Sequence, residues 1–529
     1  MADSSDTAAG NPTLGVHHIA TIAMVMPDHP AVIVGGTGSK ITYAELDLRS
    51  RKLAGYLAAN RLANGDHIAI MMANSEDYLA VCWAAQRLGL VYTPINWHLT
   101  PPEIAYILEN SDAKALIVSD HVRPALEIIW QSLRGIVVSL TTGPSFGEFK
   151  NLSYILERVE VDPDLGYHEG NIMFYSSGTT GRPKGITRKQ GEVAWGNFAP
   201  LDLYLRTTYG LDRDTVYLVP APLYHAAALV WAMNVLRSGG TVVVMEKFDP
   251  LEALRLIEAH RVTHAQFVPT MFVRMLRLSE ADRARHGLSS LKYVLHAAAP
   301  CPIQIKQRMI DWFGPVIHEY YAGSERNGLV AVDSATWAAR PGTVGRAVFG
   351  QIHIVGEDGR ELPAGQDGLI YFSGANAFEY YKDPIQTASA FNELGWSTLG
   401  DIGHLDDDGF LFLADRRTDL IISGGVNIYP KEVEDALIQH PAVADVAVIG
   451  VPNLEYGQEV KAVVELNTGI SPNKQLADDM INFCRLRIAT YKCPKSVDFA
   501  TLPRLPNGKM LKRQVRDQYL TSRHSHNPS

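Results

Sequence analysis

Apolar residues along the chain cluster in two alternating patterns. Short runs bounded by turn residues, at Ala31–Val34, His67–Met72, Val91–Ile95 and Ala115–Val118, read as buried strands. Longer segments with helical spacing lie between them. Thr42 and Glu45 form a capping box ahead of a helix that runs toward Arg61, and Ala73–Leu88 reads as a helix stopped by Gly89. Residues 1 to about 15 carry no such pattern and read as a loose terminus. A second alternating series runs from Val216 to about Pro315, with strands at Thr241–Met245, His264–Val268 and Tyr293–Ala297. Strands alternating with helices predict mostly parallel sheets covered on both faces. The pattern changes after about Gly342, where short strands and turns such as GEDGRELPAG predict antiparallel structure. From Ile428 a compact α+β unit is expected. It has a helix from Pro430 to His440, strands at Val446–Val451 and Glu459–Leu466, a helix at Leu476–Ala489 and a last strand near Ser496–Ala500. The charged segment Asp415–Asp419 separates it from what precedes, so the expected domains are 1–417 and 418–529.

The chain has 529 residues, 46% hydrophobic and 20% charged, which suits a multi-domain globular protein rather than a disordered one. A net charge of -9 gives no overall drive toward nucleic acid or anionic lipid. The most apolar stretch, Ala226–Leu236, ends at Arg237 and falls short of the ~18 residues a spanning helix needs. The acidic, polar start carries no signal-peptide pattern, so a cytoplasmic location is expected. Cys82, Cys301, Cys484 and Cys493 lack CxxC spacing, which argues against a disulfide framework or a zinc site.

The densest chemical signal is Tyr175–Ile186, YSSGTTGRPKGI. Three glycines leave backbone N–H groups open to anionic oxygens. Ser176, Ser177, Thr179 and Thr180 add hydroxyls, and Lys184 adds a positive charge. Lys184 is followed by Gly185 rather than by Ser or Thr, so the segment is a phosphate cradle other than the GxxxxGK[ST] loop. Further along stand PLYHAAA (222–228), HAAAP (296–300), EYYAGSE (319–325), GWSTLGD (395–401), LIISGGVNIYP (420–430) and LPNGKM (505–510).

Together, and in this order, these segments resemble the signature motifs of the adenylate-forming superfamily, in its acyl-CoA synthetase branch. The resemblance implies an α/β fold: a large N-terminal domain of two parallel subdomains plus a β-rich subdomain, and a small mobile C-terminal α+β domain. It implies that ATP is held by Ser176, Ser177, Gly178, Thr179, Thr180, Gly181 and Lys184 at its phosphates. Ala298, Ala299, Pro300, Tyr320 and Tyr321 would lie at the adenine, Ser324 at the phosphate or acyl carbonyl, and Asp401 with Arg416 at the ribose. Glu325 would hold Mg²⁺, and Lys509 would act on the carboxylate and α-phosphate. His225, Leu229, Met233, Ala297 and Gly323 would shape the acyl pocket, with no cation evident there, so an apolar acid is expected: fatty, aromatic, or of terpenoid or steroid type. Gly424 and Gly425 would border the CoA tunnel, and Thr418 would be the hinge. The family departs from this chain at Ala322, usually Gly, and at Arg326.

The implied reaction is adenylation of the carboxylate with release of pyrophosphate, then attack by the CoA thiol with release of AMP. Transfer to a carrier protein is the alternative. A monomer or homodimer is expected, with no nucleic-acid partner.

Overall fold

The computed structural model describes residues 17–162, 165, 168–176, 182–188, 195–298, 301, 303–356, 358–375, 378–416, 421–428, 430–503 and 512–521. The larger part is built on two sheets. One runs Lys150–Asn151, Val138–Thr141, Ala113–Val118, His67–Met71, Val91–Pro94, Asn171–Ile172, parallel throughout. The second has a parallel run in the order Pro30–Val34, Thr241–Val244, Val216–Val219, His264–Phe267, Tyr293–His296, Ile317–Tyr321. Past Ile317–Tyr321 it continues antiparallel through Leu329–Val332, Thr343–Phe349 and Leu411–Arg416, then Ser397–Leu405, Gly368–Ser373 and Gln351–Val355. This antiparallel stretch is the region whose turns begin after Gly342 in the sequence.

Helices Glu76–Arg87 and Ala226–Arg237 explain why the apolar runs on either side of them are so continuous. Both are buried over most of their length, with Trp83 and Trp231 inside one shared core. A helix covered on several sides reads as apolar all round. The capping box at Thr42 and Glu45 is formed, and its helix spans Tyr43–Ala59. Strand Pro30–Val34 pairs antiparallel with its neighbour Lys40–Thr42 across the turn between them, and on its other side it pairs parallel with the distant Thr241–Val244 in the second sheet.

The last strand of this part ends at Arg416, and the next described strand, Ile421–Ser423, enters a separate sheet with Val426–Ile428, Gly457–Leu466, Val443–Asn453 and Ser496–Phe499. That small unit has its own core, including Val433, Val448, Val464 and Met480. Residues 417–420, which include Thr418, lie outside the described residues. The four cysteines carry no disulfide, and three of them are buried. Among the described residues no helix is long and apolar enough to cross a membrane.

Candidate active site

Parallel strands present their carboxyl ends along one edge, and ligands of open α/β sheets bind there. In this protein four neighbouring strands open on one cleft of about 1320 Å³. Val216–Val219 leads to Tyr224 and His225, His264–Phe267 to Val268 and Met271, Tyr293–His296 to Ala297 and Ala298, and Ile317–Tyr321 to Ala322–Arg326. Segments 222–228, 296–298 and 319–325, scattered over about a hundred residues of sequence, meet because the strands before them are adjacent.

The cradle segment reaches the cleft by another route. Phe174–Ser176 and Lys184–Arg188 pair antiparallel, and Lys184–Arg188 pairs in turn with Phe378–Tyr380. Residues 177–181, with Ser177, Gly178, Thr179, Thr180 and Gly181, lie outside the described residues, but Ser176 and Lys184 both line the cleft. Lys184 Nζ donates to Gln386 Oε1 at 2.6 Å and lies 4.8 Å from the Tyr380 ring centroid. Burial lowers the Lys184 pKa, against the opposing fields of Asp383 and Glu325. Tyr380, Asp383 and Gln386 carry no motif of their own and were not legible as site residues. The pairing with Lys184–Arg188 is what brings them in.

Glu325 is buried to 7% exposure at the cleft wall and accepts from the Tyr380 hydroxyl at 3.1 Å. Gly323 stands beside it. A Cβ there would lie 2.1 Å from Leu399 Cδ1 and 2.9 Å from Glu325 Oε2. Gly323→Ala therefore has to displace both groups, at a cost of about 1–3 kcal/mol. The expected result is a fall in kcat/KM for ATP of at least about tenfold, read by steady-state pyrophosphate release with thermal unfolding as the folding control.

Asp401 is 3% exposed, lines the cleft and accepts from the Tyr321 hydroxyl at 2.6 Å. Tyr320 and Tyr321 alternate on their strand. Tyr320 faces the cleft, where it accepts from Gln266, while Tyr321 lies off the cleft wall against Phe372. Ser324, Ala297 and Ala298 line the cleft as well, and Ala298 holds a left-handed φ of 74°, which L side chains adopt rarely. His225 exposes its ring to the cleft. The surrounding protein, with His98 near it, lowers its pKa below the usual imidazole value, so the ring is neutral at pH 7. Ala299, Pro300 and Lys509 lie outside the described residues, as does the Arg416 side chain.

Two acyl-pocket expectations are corrected by helix phase. On Ala226–Arg237 the positions that reach the cleft are Ala226, Ala227, Ala228, Val230 and Trp231, with 226/230 and 227/231 at i, i+4 spacing. Leu229 points away and is fully buried in the core. Met233 lines a separate small cavity beyond Val230. The wall is also not free of cations: Arg326 lines it, 3.3 Å from Asp202.

The small unit closes one side of the cleft. Its hairpin turn at Gly424–Gly425 joins paired Ser423 and Val426 with two residues of positive φ, 61° and 79°, a geometry that glycine adopts without strain. A Cβ on Gly425 would lie 3.3 Å from Val268 of the large unit, so the turn is pressed into the cleft wall. A buried three-charge contact holds the two parts together. Lys492 Nζ lies 2.5 Å from Glu103 Oε1, on the large unit, and 2.7 Å from Glu432 Oε1 on its own. Lys492 is 1% exposed. Burial pushes the Glu432 carboxyl up, while Lys492 holds Glu103 below the ordinary carboxylate range. Lys492 belongs to no motif, and Glu103 stands in the Thr100–Glu103 capping box of helix Pro101–Asn110, which carries no hint of the ion pair.

Residues 20–382 match the family model of the AMP-binding enzymes, and residues 432–509 match that of the AMP-binding enzyme C-terminal domain. The chain belongs to the AMP-binding enzyme family. Within it, this AMP-binding enzyme is 34% identical over 507 residues to a feruloyl-CoA synthase of Amycolatopsis sp, covering 94% of the chain and 97% of the relative. It is 31% identical to the long-chain-fatty-acid–CoA ligase FadD13 of Mycobacterium tuberculosis, with the same coverage. It is also 31% identical to the fatty acid–[acyl-carrier-protein] ligase ScoC of Streptomyces coeruleorubidus, over 93% of the chain and 94% of the relative. Among solved structures, the amide bond synthetase McbA from Marinactinospora thermotolerans superposes with a TM-score of 0.82 at 27% identity, covering 95% of the chain and all of the neighbour. The o-succinylbenzoate CoA synthetase MenE of Bacillus subtilis, bound with its product analogue, gives 0.80 at 26%, covering 95% and 98%. ATP-bound MatB from Rhodopseudomonas palustris gives 0.66 at 28%, covering 95% and 99%. These likenesses put the AMP-binding enzyme in the acyl-CoA synthetase branch, as an AMP-forming acid–thiol ligase.

Proposed function

We propose that this ligase converts an apolar carboxylic acid into its CoA thioester through an acyl-AMP intermediate. The observation that carries the reading is the single cleft on which the cradle segment, Glu325, Asp401 and the Gly424–Gly425 turn converge. A carboxylate is a poor acyl donor because oxide leaves badly. Attack of its oxygen on the α-phosphorus forms the P–O bond of acyl-AMP and expels pyrophosphate. The thiolate of CoA then attacks the acyl carbon, and AMP leaves with the C–O bond pair.

The cradle, from Ser176 to Lys184, is proposed to hold the β- and γ-phosphates. Asp401, oriented by the Tyr321 hydroxyl, suits a ribose diol, since a carboxylate accepts two hydrogen bonds. Arg416 is proposed to assist there, and Tyr320, Ala298, Ala299 and Pro300 to border the adenine. Tyr321 has its role at Asp401 rather than as a stacking ring. Neutral His225 offers an N–H to the acid's carboxylate without competing for a full proton.

The donor set fits a hard cation that arrives with ATP. No group of three or more metal-ligating side chains exists among the described residues, and Glu325 lines the cleft beside Ser324. Mg²⁺ keeps most of its shell as water and phosphate oxygens, so one carboxylate suffices. When bound, it would neutralise charge on the phosphates.

The orientation of the small unit supports the second half-reaction. Its Gly424–Gly425 turn, where the resemblance puts the border of the CoA tunnel, is pressed against Val268 in the cleft wall. Lys509 would act in a different orientation, reached by turning near Thr418. The contact of Lys492 makes the present orientation pH-dependent. In the docked orientation burial moves the Glu432 carboxyl up from the ordinary carboxylate range to about 8. Docking therefore takes up a proton, is favoured at the acid end of that window and weakens as pH rises through it. The ratio of thioester formation to adenylation is expected to fall between pH 6 and 8.5, and Glu432→Gln to flatten that fall. A ratio that falls equally in both proteins would contradict the assignment.

Acid-dependent exchange of pyrophosphate into ATP tests the substrate class. The panel spans short, medium and long fatty acids, benzoates, cinnamates and steroid acids. The reading expects exchange with an apolar class and none with dicarboxylates of the same size. Exchange supported best by a dicarboxylate would overturn it.

A further inference from the structure

Beyond the cleft lies a second, smaller space whose walls are polar. It measures about 70 Å³ and shares two residues, Val230 and Arg326, with the cleft. One helix lines both. Ala226, Ala227 and Val230 face the cleft, and one turn further on Met233, Asn234 and Arg237 face the smaller space. We propose, resting on the ligase reading, that this chamber is the end of the acyl site and receives a neutral hydroxyl at the far end of an otherwise apolar acid.

Arg326 links the two spaces. Its φ of 52° lies in the left-handed region, and its N–H bonds to Gly323 O at 3.0 Å. The same tight turn that leaves the Glu325 carboxylate at the phosphate side sends the Arg326 guanidinium toward Asp202, 3.3 Å away. Asn234 Nδ2 donates to the same Asp202 carboxylate at 3.1 Å. Deeper in, Arg237 pairs with Glu169, to which Gln86 also donates. Two arginines face two carboxylates, so the chamber has no net charge to offer an ion. A second carboxylate would meet Asp202 and Glu169, and an ammonium would meet two guanidinium groups. A hydroxyl fits both members of the first pair, since it accepts from Arg326 and donates to Asp202.

Size agrees with this. A water-sized group needs roughly 10–15 Å³ of such space, so ~70 Å³ accepts a few heavy atoms and not a whole chain. The body of the acid stays in the cleft, against Val230 and Ala226. An acid without the hydroxyl leaves the polar walls to water or to each other. A site built for a hydrogen bond then discriminates against the analogue lacking it.

The test compares pairs of acids that differ only in a distal hydroxyl: 4-hydroxycinnamic with cinnamic acid, and 12-hydroxydodecanoic with dodecanoic acid. The wild-type enzyme is expected to favour the hydroxylated member of at least one pair by tenfold or more in kcat/KM. Asp202→Asn is expected to remove most of that preference while kcat/KM for the plain acid and KM for ATP stay within about threefold. Met233→Phe, which fills the chamber without changing charge, is expected to act in the same direction. Equal turnover of both members by the wild-type enzyme, or equal loss on both in the variants, would overturn the chamber and leave the ligase reading intact. Should no acid of the panel be turned over, the same pairs are compared by calorimetric binding to the protein with AMP present. A binding preference that Asp202→Asn abolishes supports the chamber independently of thioester formation, and equal binding refutes it.

Discussion

Lys509→Ala is expected to lower acid adenylation by about 10³-fold while thioester formation from supplied acyl-AMP stays within a few-fold of the wild-type rate. In the first step charge builds on the α-phosphate and its leaving oxygens, and a cation placed there stabilises the transition state more than the ground state. The second step also passes charge to the departing AMP phosphate, but in the proposed division of labour Lys509 has been turned away from it by then. Single-turnover assays of each half-reaction give the answer. Equal loss in both would mean that Lys509 holds the fold or the nucleotide in general, and the division of labour between orientations would fail.

Glu103→Ala is expected to act in the opposite sense, with thioester formation lowered about 10- to 100-fold and adenylation within threefold. In the orientation described, Lys492 lies between Glu103 on the large unit and Glu432 on its own. Removing Glu103 leaves the Lys492–Glu432 pair balanced and takes away one tie between the parts, beside Arg277–Glu455. It also removes the carboxylate of the Thr100 capping box, so thermal unfolding serves as the folding control. Lys492→Ala is harsher, because it leaves two carboxylates facing each other in a buried site. Breaking such a contact from one side costs on the order of 3–5 kcal/mol. Its effect should therefore include loss of the docked orientation itself, visible as faster proteolysis near the boundary at 417–420. Adenylation falling as far as thioester formation in Glu103→Ala would show that the contact is general scaffolding.

The parts of this molecule legible from sequence are those written in local chemistry. The capping box at Thr42 and Glu45 is set by two side chains three residues apart, and it is formed as expected. The strands of the parallel series and the switch to antiparallel structure after Gly342 follow from short-range periodicity. The pairing of Pro30–Val34 with Thr241–Val244 was not legible, because a strand's neighbour is chosen by the packing of the whole sheet across some two hundred residues. The same limit explains the site. The cradle, Glu325, Asp401 and the Gly424–Gly425 turn announce themselves by residue type and spacing. Tyr380 and Gln386 do not, since they come to Lys184 by pairing of distant strands. Leu229 and Met233 were placed by position in a motif, and the phase of their helix sends one into the core and the other into the chamber. Arg326 was visible as an oddity beside Glu325. That its side chain turns toward Asp202 depends on a backbone angle that no sequence pattern prints.

The central claim is that one chain makes both bonds, first to AMP and then to CoA. The most direct measurement is the product balance of a single reaction containing ATP, Mg²⁺, a panel acid and CoA, with AMP, pyrophosphate and thioester quantified together. The account predicts one AMP, one pyrophosphate and one acyl-CoA per acid consumed, with acyl-AMP accumulating to about one per enzyme when CoA is withheld. ADP and phosphate as products, or acyl-AMP that CoA does not consume although a carrier protein or an amine does, would contradict it.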